Sequence, residues 1–308
     1  MIVSLYLSLL GTVLGSQQFL SCALSNNISE NIKWDFRIDT NFYKKIAFAN
    51  DLPVVSSAEV SDMALMKACK IIEFMLADRQ GVRDRLLRKN AKFAVVGKNE
   101  VITDIPEYSH LSAWYNQRAR GIGGTDNIRL TVSSEENLLC LAQDPYHEDI
   151  YVHEVAHGVH LVGATRGFKR AVQQAYRHAK QNNLWGNTYA RYDYREYFAE
   201  SVQSFFNHDD AQIEAPGPEN GNGIQNNIDT RKKLFKYDRV LFNLIHQLFP
   251  CANWMPDRCS ILQAASTPEE YSEQFDREVH RLGFRQNCQY NRMIQLKPYG
   301  RKISTIND

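Results

Sequence analysis

His153-Glu154-Val155-Ala156-His157 is the stretch on which the reading of this chain turns, and it runs on through Gly158, Val159, His160, Leu161 and Val162. On an α-helix, residues four apart stand above one another, so His153 and His157 present their imidazoles to a single point at which a zinc ion can bind. Glu154 lies one step round the helix, beside the metal's open position. There a carboxylate can take a proton from a zinc-bound water and pass it to a leaving amine. A His-Glu-x-x-His string also arises by chance, in roughly one chain in a hundred of this length, often as a solvated helix face. Here Ile150, Val152, Val155, Ala156, Val159, Leu161 and Val162 fill the remaining surface, which predicts a helix buried on most sides. Histidine and glutamate in such surroundings require a partner, and a metal is the simplest one.

Two histidines do not complete a site. Structural zinc is closed by four protein ligands, whereas catalytic zinc takes three and leaves a position for water. His160 lies seven residues from His153, roughly 10 Å of axial rise, so it reads as a core or supporting histidine rather than a ligand. One class of zinc proteases continues the motif with a glycine three residues after the second histidine and a third histidine three later. Those places hold His160 and Gly163 here, which excludes that class. The third ligand is expected downstream, in Tyr194-Arg195-Glu196-Tyr197-Phe198-Ala199-Glu200-Ser201-Val202-Gln203. Glu196, Glu200 and Gln203 fall at i, i+4 and i+7, a polar stripe on a helix otherwise built from Tyr197, Phe198, Val202, Phe205 and Phe206. Glu196 as ligand, with Glu200 and Gln203 behind it to orient a ligating imidazole through its free ring N–H, gives each of these polar groups a reason. Surface carboxylates on an amphipathic helix would be the ordinary alternative.

The combination of His153-Glu154-x-x-His157, Tyr189 and Glu196-Tyr197-Phe198-Ala199-Glu200 resembles the catalytic domain of anthrax lethal factor, a secreted zinc protease of the gluzincin type. The resemblance spans residues 146–207. It implies that Glu196 is the third zinc ligand and that Tyr189, seven residues before it, assists at the transition state, with Tyr192 and Tyr194 as rivals. Segments around Pro53-Val54-Val55-Ser56-Ser57 and Tyr237-Asp238 resemble uncharacterised secreted proteins with the same zinc core. The large delivery and docking domains of lethal factor have no room in this chain, so its substrates are not implied.

Composition sets the frame for this site. The 308 residues are 44% hydrophobic, with 36 Lys and Arg against 35 Asp and Glu and a net charge of +1, which points to no nucleic-acid or membrane-surface partner. The basic run from Arg83 to Lys89 reads as a solvated helix face. Met1 to Gly15 is an apolar run too short to span a bilayer and placed where a secretory signal belongs, with cleavage expected after Gly15 or later, near Ala23. We therefore expect 1–22 as signal peptide and 23–308 as one zincin-like domain, with 35–145 as upper lobe and 146–308 as zinc-binding lower lobe. No other segment is long and apolar enough to cross a membrane. Six cysteines in an exported protein predict disulfides, with Cys251–Cys259 as the preferred local pair and Cys69 otherwise a small buried residue. Asn27-Ile28-Ser29 is the one glycosylation sequon, expected to be exposed.

The expected fold is α/β (α+β), zincin-like: a small mixed sheet and helices above a cleft, the zinc helix at its floor, helices below. A helix is expected from a cap at Ser56 or Ser57 to about Asp78, and a short one over Val82–Lys89. Strands are expected at Phe93–Val96 and Ile128–Val132, helices at about Thr230–Leu248 and Tyr271–Leu282. Gly121-Ile122-Gly123-Gly124 lacks the Lys-Ser/Thr of a phosphate loop and reads as a flexible turn. Ile128–Val132 is the candidate edge strand to pair with an extended peptide. The region from His208 to Asn227 reads as a loop bordering the cleft, with Asp209, Asp210 and Glu214 lacking calcium-loop spacing, and Lys297 to Lys302 as a solvated tail. The function these features support is a secreted zinc-dependent endopeptidase with one Zn2+ per chain and a peptide or protein substrate. The alternative is a catalytically silent secreted binding protein or toxin component on the same fold.

Overall fold

A short helix, α1 (Glu30–Phe36), leads into a hairpin whose turn residues Asn50 and Asp51 both take positive φ, 47° and 71°. A two-residue hairpin turn requires that pair, and Asn and Asp tolerate it better than other side chains. It joins β1 (Lys45–Ala49) to β2 (Leu52–Ser56), antiparallel, with Ala49 opposite Leu52. The structure is a computed structural model that describes residues 22–77, 79–144, 148–206, 223–250 and 259–281.

From β2 the chain passes through α2 (Asp62–Met75) and α3 (Gln80–Arg88) to β3 (Lys92–Val96), which lies parallel to β2. After α4 (Tyr115–Arg118) come β4 (Gly121–Ile122) and β5 (Leu130–Ser134), and the sheet order is β1-β2-β3-β5-β4. β5 is parallel to β3 and antiparallel to β4. The strand expected at 128–132 therefore forms two residues later and is an interior strand, paired on both sides. The glycine segment expected as a turn contains an edge strand, β4. Along β3 the side chains alternate, Phe93 and Val95 packing into the larger core with the helices, Ala94 and Val96 into a smaller core on the opposite face.

Ser56 ends β2 and does not cap a helix. Ladder pairing keeps the chain extended through Ser56, and Ser61 is the cap, its hydroxyl accepting from the Ala64 N–H at 3.3 Å.

The lower half starts at α5 (Glu135–Leu138) and α6 (Ile150–Gly158), the motif helix, whose N-terminus is capped by the Asp149 carboxylate on Val152 N–H at 3.0 Å. α6 continues into one π-helical turn, Val159–Gly163. Its last carbonyls are met by cations: Lys169 Nζ donates to Leu161, Lys89 Nζ to Val162 at 3.0 Å, and Arg85 Nε to Gly163 at 2.6 Å. Positive charge at a helix C-terminus is favourable, and these side chains satisfy carbonyls that have no helical partner. The basic run on α3 is thus a cap on the motif helix, with Arg83 also donating to Leu76 O at 2.5 Å, and not a merely solvated face.

α7 (Arg166–Gln181) and α8 (Tyr194–Phe206) follow, then α9 (Arg231–Tyr237), α10 (Arg239–Leu248), α11 (Ser260–Ala264) and α12 (Pro268–Arg281). The single helix expected over 230–248 is broken at Asp238. Its carboxylate is buried, caps α10 through Leu241 N–H at 3.0 Å, and accepts from Trp185 Nε1 at 3.0 Å and Tyr197 OH at 2.6 Å. Three donors converging on one carboxylate hold the chain off the helical path there.

Cys22 pairs with Cys69 and Cys140 with Cys259. The preferred pair Cys251–Cys259 is thereby corrected: Cys259 is bonded to a residue 119 positions away, and Cys69 is bridged rather than a free buried thiol. Cys251, Cys288, the apolar leader, residues 207–222 with Asp209, Asp210 and Glu214, and the Lys297–Lys302 tail lie outside the described residues. Asn27 of the sequon is exposed, just ahead of α1. The architecture is the mixed α+β arrangement expected, a small sheet lying over the motif helix with helices beneath. Among the described residues no helix is long and apolar enough to cross a membrane.

Candidate metal centre and active site

α6 and α8 pack against each other beneath the sheet and bring the two halves of the sequence motif together. His153 Nε2 and His157 Nε2 are 3.0 Å apart, and Glu196 Oε2 lies 3.1 Å from the first and 3.3 Å from the second. Three ligand atoms on tetrahedral bonds of about 2.0–2.1 Å to a common ion would be separated by about 3.3 Å. The nitrogen–nitrogen–oxygen triangle is close to that spacing, so these residues fit a metal ion with tetrahedral preference and nitrogen and oxygen ligands. Ligand atoms of His153, Glu154 and His157 also lie within 4.8 Å of one another, as do those of His153, Glu196 and Glu200.

The free nitrogen of His153 is held from behind. Its Nδ1 lies 3.2 Å from Gln203 Oε1 and 3.3 Å from Glu200 Oε1. Gln203 Nε2 donates to the Asp149 carbonyl and to Glu148 Oε2, both at 3.1 Å, which fixes the amide with its oxygen toward the imidazole. Nδ1 then carries a proton, and Nε2 is the nitrogen that faces Glu196 and His157. Glu200, Gln203, Ser201 and Ser204 are all buried in α8, so a polar seam runs from the helix interior to the site.

The electrostatics separate the carboxylates. Burial would raise the Glu196 carboxyl, but hydrogen bonds and charge from His153 and His157 outweigh it and hold Glu196 well below the usual carboxylate range. Glu154 is moved the other way: burial raises it, and the nearby Glu196 and Glu148 charges add to that, against the lowering effect of the histidines. Burial would lower His153, but the surrounding Glu200, Glu196 and Glu154 carboxylates hold it well above 6.5 in the metal-free site.

The three tyrosines are distinguished by position. Tyr189 is 42% exposed, and burial followed by the charges of Glu196, Glu200 and Glu154 raises its hydroxyl. Tyr192 stacks on it at 5.9 Å and is 74% exposed, while the Tyr194 ring packs on the far side, 6.0 Å from His160. His160 is fully buried, 4.7 Å from the Phe198 ring, with no hydrogen-bond partner for either ring nitrogen among the described residues, and burial lowers it to about 3. It is a core histidine, as its spacing implied.

Two positions near the site were not singled out from the sequence. Gly121 and Gly123 of the edge segment lie directly against Glu154 and His157. The signal was present as Gly121-Ile122-Gly123-Gly124 ahead of a β-branched run, a glycine pattern that marks close backbone approach as often as it marks a turn. Glu148 and Asp149, which anchor Gln203, carry no sequence signal of their own.

No family model and no curated protein matches this chain. Among solved structures it is similar to the Pro-Pro endopeptidase PPEP-2 from Paenibacillus alvei, with 16% sequence identity, a TM-score of 0.41, and coverage of 64% of this chain and 97% of that one.

Proposed function

We propose that the chain is a secreted zinc-dependent endopeptidase in which His153, His157 and Glu196 hold the metal, Glu154 moves the proton and Tyr189 donates to the developing oxyanion. The observation that carries this reading is the triangle of His153 Nε2, His157 Nε2 and Glu196 Oε2, with edges of 3.0 to 3.3 Å. It recurs in the resemblance to gluzincins, where the same residue types fill the same places. A bound zinc ion supplies a Lewis acid and lowers the pKa of its water toward neutrality.

The chain's own groups fit the rest. Glu154 makes no bond to the ligand triangle, lies beside it, and has a raised pKa, which suits a carboxylate that accepts a proton and returns it to a leaving amine. Tyr189 keeps its proton at neutral pH and can donate a hydrogen bond where negative charge builds up. Among the described residues β4 is a terminal strand of the sheet, lying against Glu154, so an extended peptide can add to it as a further strand, its backbone supplying affinity and its side chains selectivity. The two disulfides favour an oxidising compartment, and because Cys22 belongs to one of them, leader removal ahead of Cys22 keeps that bridge.

The test joins metal content to turnover. Purified protein is expected to carry about one zinc per chain and to cleave a mixed peptide library in a manner abolished by a chelator and restored by zinc. Absence of zinc from a folded, dialysed sample supplied with the ion would overturn the metal site. A full complement of zinc with no cleavage of a broad library would favour the recognition role over catalysis.

A further inference from the structure

We infer that the edge segment around β4 is a positioning element of the metal site, in which Gly123 seats His157 and Gly121 seats Glu154. The inference rests on the metal-site reading above and adds residues to it.

Space decides the argument at both glycines. Gly223 is the described glycine with positive φ, so the backbone at 121 and 123 is open to any L residue. A Cβ at 123 would nevertheless overlap the Cβ of His157 and stand 2.9 Å from its Cγ and 3.1 Å from its Cδ2. These are not the mobile end of a long side chain: His157 Cβ is fixed to α6 and stays in place when the ring turns, so either the strand lifts or α6 shifts at His157. A Cβ at 121 would stand 2.8 Å from Glu154 Cγ, 2.8 Å from its Oε1 and 2.8 Å from Ile150 Cγ2.

His157 has little else to orient it. His153 is steered through its Nδ1 by Gln203 and Glu200, whereas the buried Nδ1 of His157 has no hydrogen-bond partner among the described residues. One ligand is aimed by hydrogen bonds and the other by the backbone lying across it. Zinc-ligating histidines ordinarily donate their second nitrogen to an acceptor, so packing takes that role at this position.

The segment is in turn held down. Arg120, the residue before β4, donates to Glu136 from Nε at 2.5 Å and from one terminal nitrogen at 2.8 Å, and to the carbonyls of Glu100 at 2.6 Å and Gly97 at 3.0 Å. Beyond the strand, Gly124 N–H donates to Thr131 Oγ1 at 3.0 Å. Pinned at both ends, the segment resists lifting, so added bulk at 123 pushes on α6 at His157 and displaces the imidazole with it.

The test compares Gly123→Ala, Gly121→Ala and Gly167→Ala with wild type, folding being checked by circular dichroism. Gly167 has no neighbour closer than 3.8 Å to an added Cβ and serves as control. Zinc affinity is measured by chelator competition, and the visible spectrum of the cobalt-loaded protein reports ligand geometry. Gly123→Ala is expected to weaken zinc binding roughly tenfold to a hundredfold, the scale for loss of a group that orients a ligand, and to shift the cobalt bands. Gly167→Ala is expected to stay within about threefold of wild type, whereas Gly121→Ala, which displaces Glu154 and not a ligand, is expected to lower peptide cleavage more than zinc affinity. Unchanged cleavage in that variant would overturn the seating of Glu154. Wild-type protein that binds no zinc would overturn the metal site itself, and the inference with it. Wild-type binding matched by Gly123→Ala, with an unchanged cobalt spectrum, would overturn the seating role alone and leave the site standing. Should Gly123→Ala fail to fold, Arg120→Ala loosens the strand without adding bulk. It is then expected to weaken zinc severalfold, and unchanged affinity in that variant overturns the inference.

Discussion

Glu154 and Glu196 are carboxylates beside the same pair of imidazoles, one raised in pKa and the other depressed. The proposed mechanism gives them different roles, and those roles predict different failures. Glu154→Gln is expected to keep zinc and fold while peptide cleavage falls by roughly 10² or more, the scale for loss of a positioned base. Glu196→Ala is expected to lose zinc affinity as well, and retention of full affinity would remove it from the ligand set. Tyr189→Phe is expected to keep zinc and lower kcat, with Tyr192→Phe near wild type, since Tyr192 is 74% exposed. His160 offers a separate pH test. Its ordinary pKa of 6.5 is lowered to about 3 in the fold, so below 6.5 the unfolded chain binds a proton that the folded chain refuses. The contribution is fully present above about pH 6.5 and is lost as pH falls toward 3, at up to about 1.4 kcal/mol per pH unit. His160→Leu is expected to flatten the fall in urea-derived stability between pH 6.5 and 4.5. Parallel curves for variant and wild type would show that His160 does not carry it.

At the scale of elements, Asp238 shows how one side chain ends one helix and starts the next. Its carboxylate takes donors from Trp185, Tyr197 and Leu241, and α9 and α10 part at that point. Asp238→Ala would strand three buried or capping donors and is expected to destabilise the protein by about 3 kcal/mol or more, read from the midpoint of urea denaturation. A loss below about 1 kcal/mol would mean that water replaces the carboxylate there. The motif helix is held comparably at its far end by Lys169, Lys89 and Arg85. These caps come from α3 and α7, so the orientation of α6, and with it the direction of both imidazoles, depends on elements that carry no ligand.

At the scale of the molecule, the larger core draws side chains from α2, α6, α8, α10 and α12 into one cluster, and the bridges fasten its periphery. Cys22–Cys69 ties the first described residue to α2, and Cys140–Cys259 closes a separation of 119 residues between the end of α5 and the start of α11. Restricting the unfolded chain in this way is worth about 2–5 kcal/mol per bridge. The Cys140→Ser, Cys259→Ser double variant is accordingly expected to lower the thermal midpoint by several degrees while zinc binding persists, because neither cysteine touches the ligand triangle. An unchanged midpoint would show that the bridge adds no net stability.

The residues of the candidate site could be grouped from local spacing. Helical periodicity puts His153, Glu154 and His157 on one face and Glu196, Glu200 and Gln203 on another, and a metal's demand for nitrogen and oxygen ligands relates the two stripes without knowledge of the fold. The α+β class, the strand at 93–96 and the core role of His160 followed from pattern in the same way. Pairing partners did not. Whether the strand near Leu130 is interior or edge depends on what lies beside it, and the two-residue β4 is too short and too glycine-rich to announce itself. Disulfide connectivity is also a statement about distance in space, so Cys259 joined Cys140 across 119 residues instead of its near neighbour in sequence. The basic run from Arg83 to Lys89 looked solvated because the carbonyls it caps belong to residues 78 and 73 positions away. Periodicity records which face a residue occupies, while what that face meets is settled only when distant segments pack, and in this chain the backbone lying against His157 was settled at that stage.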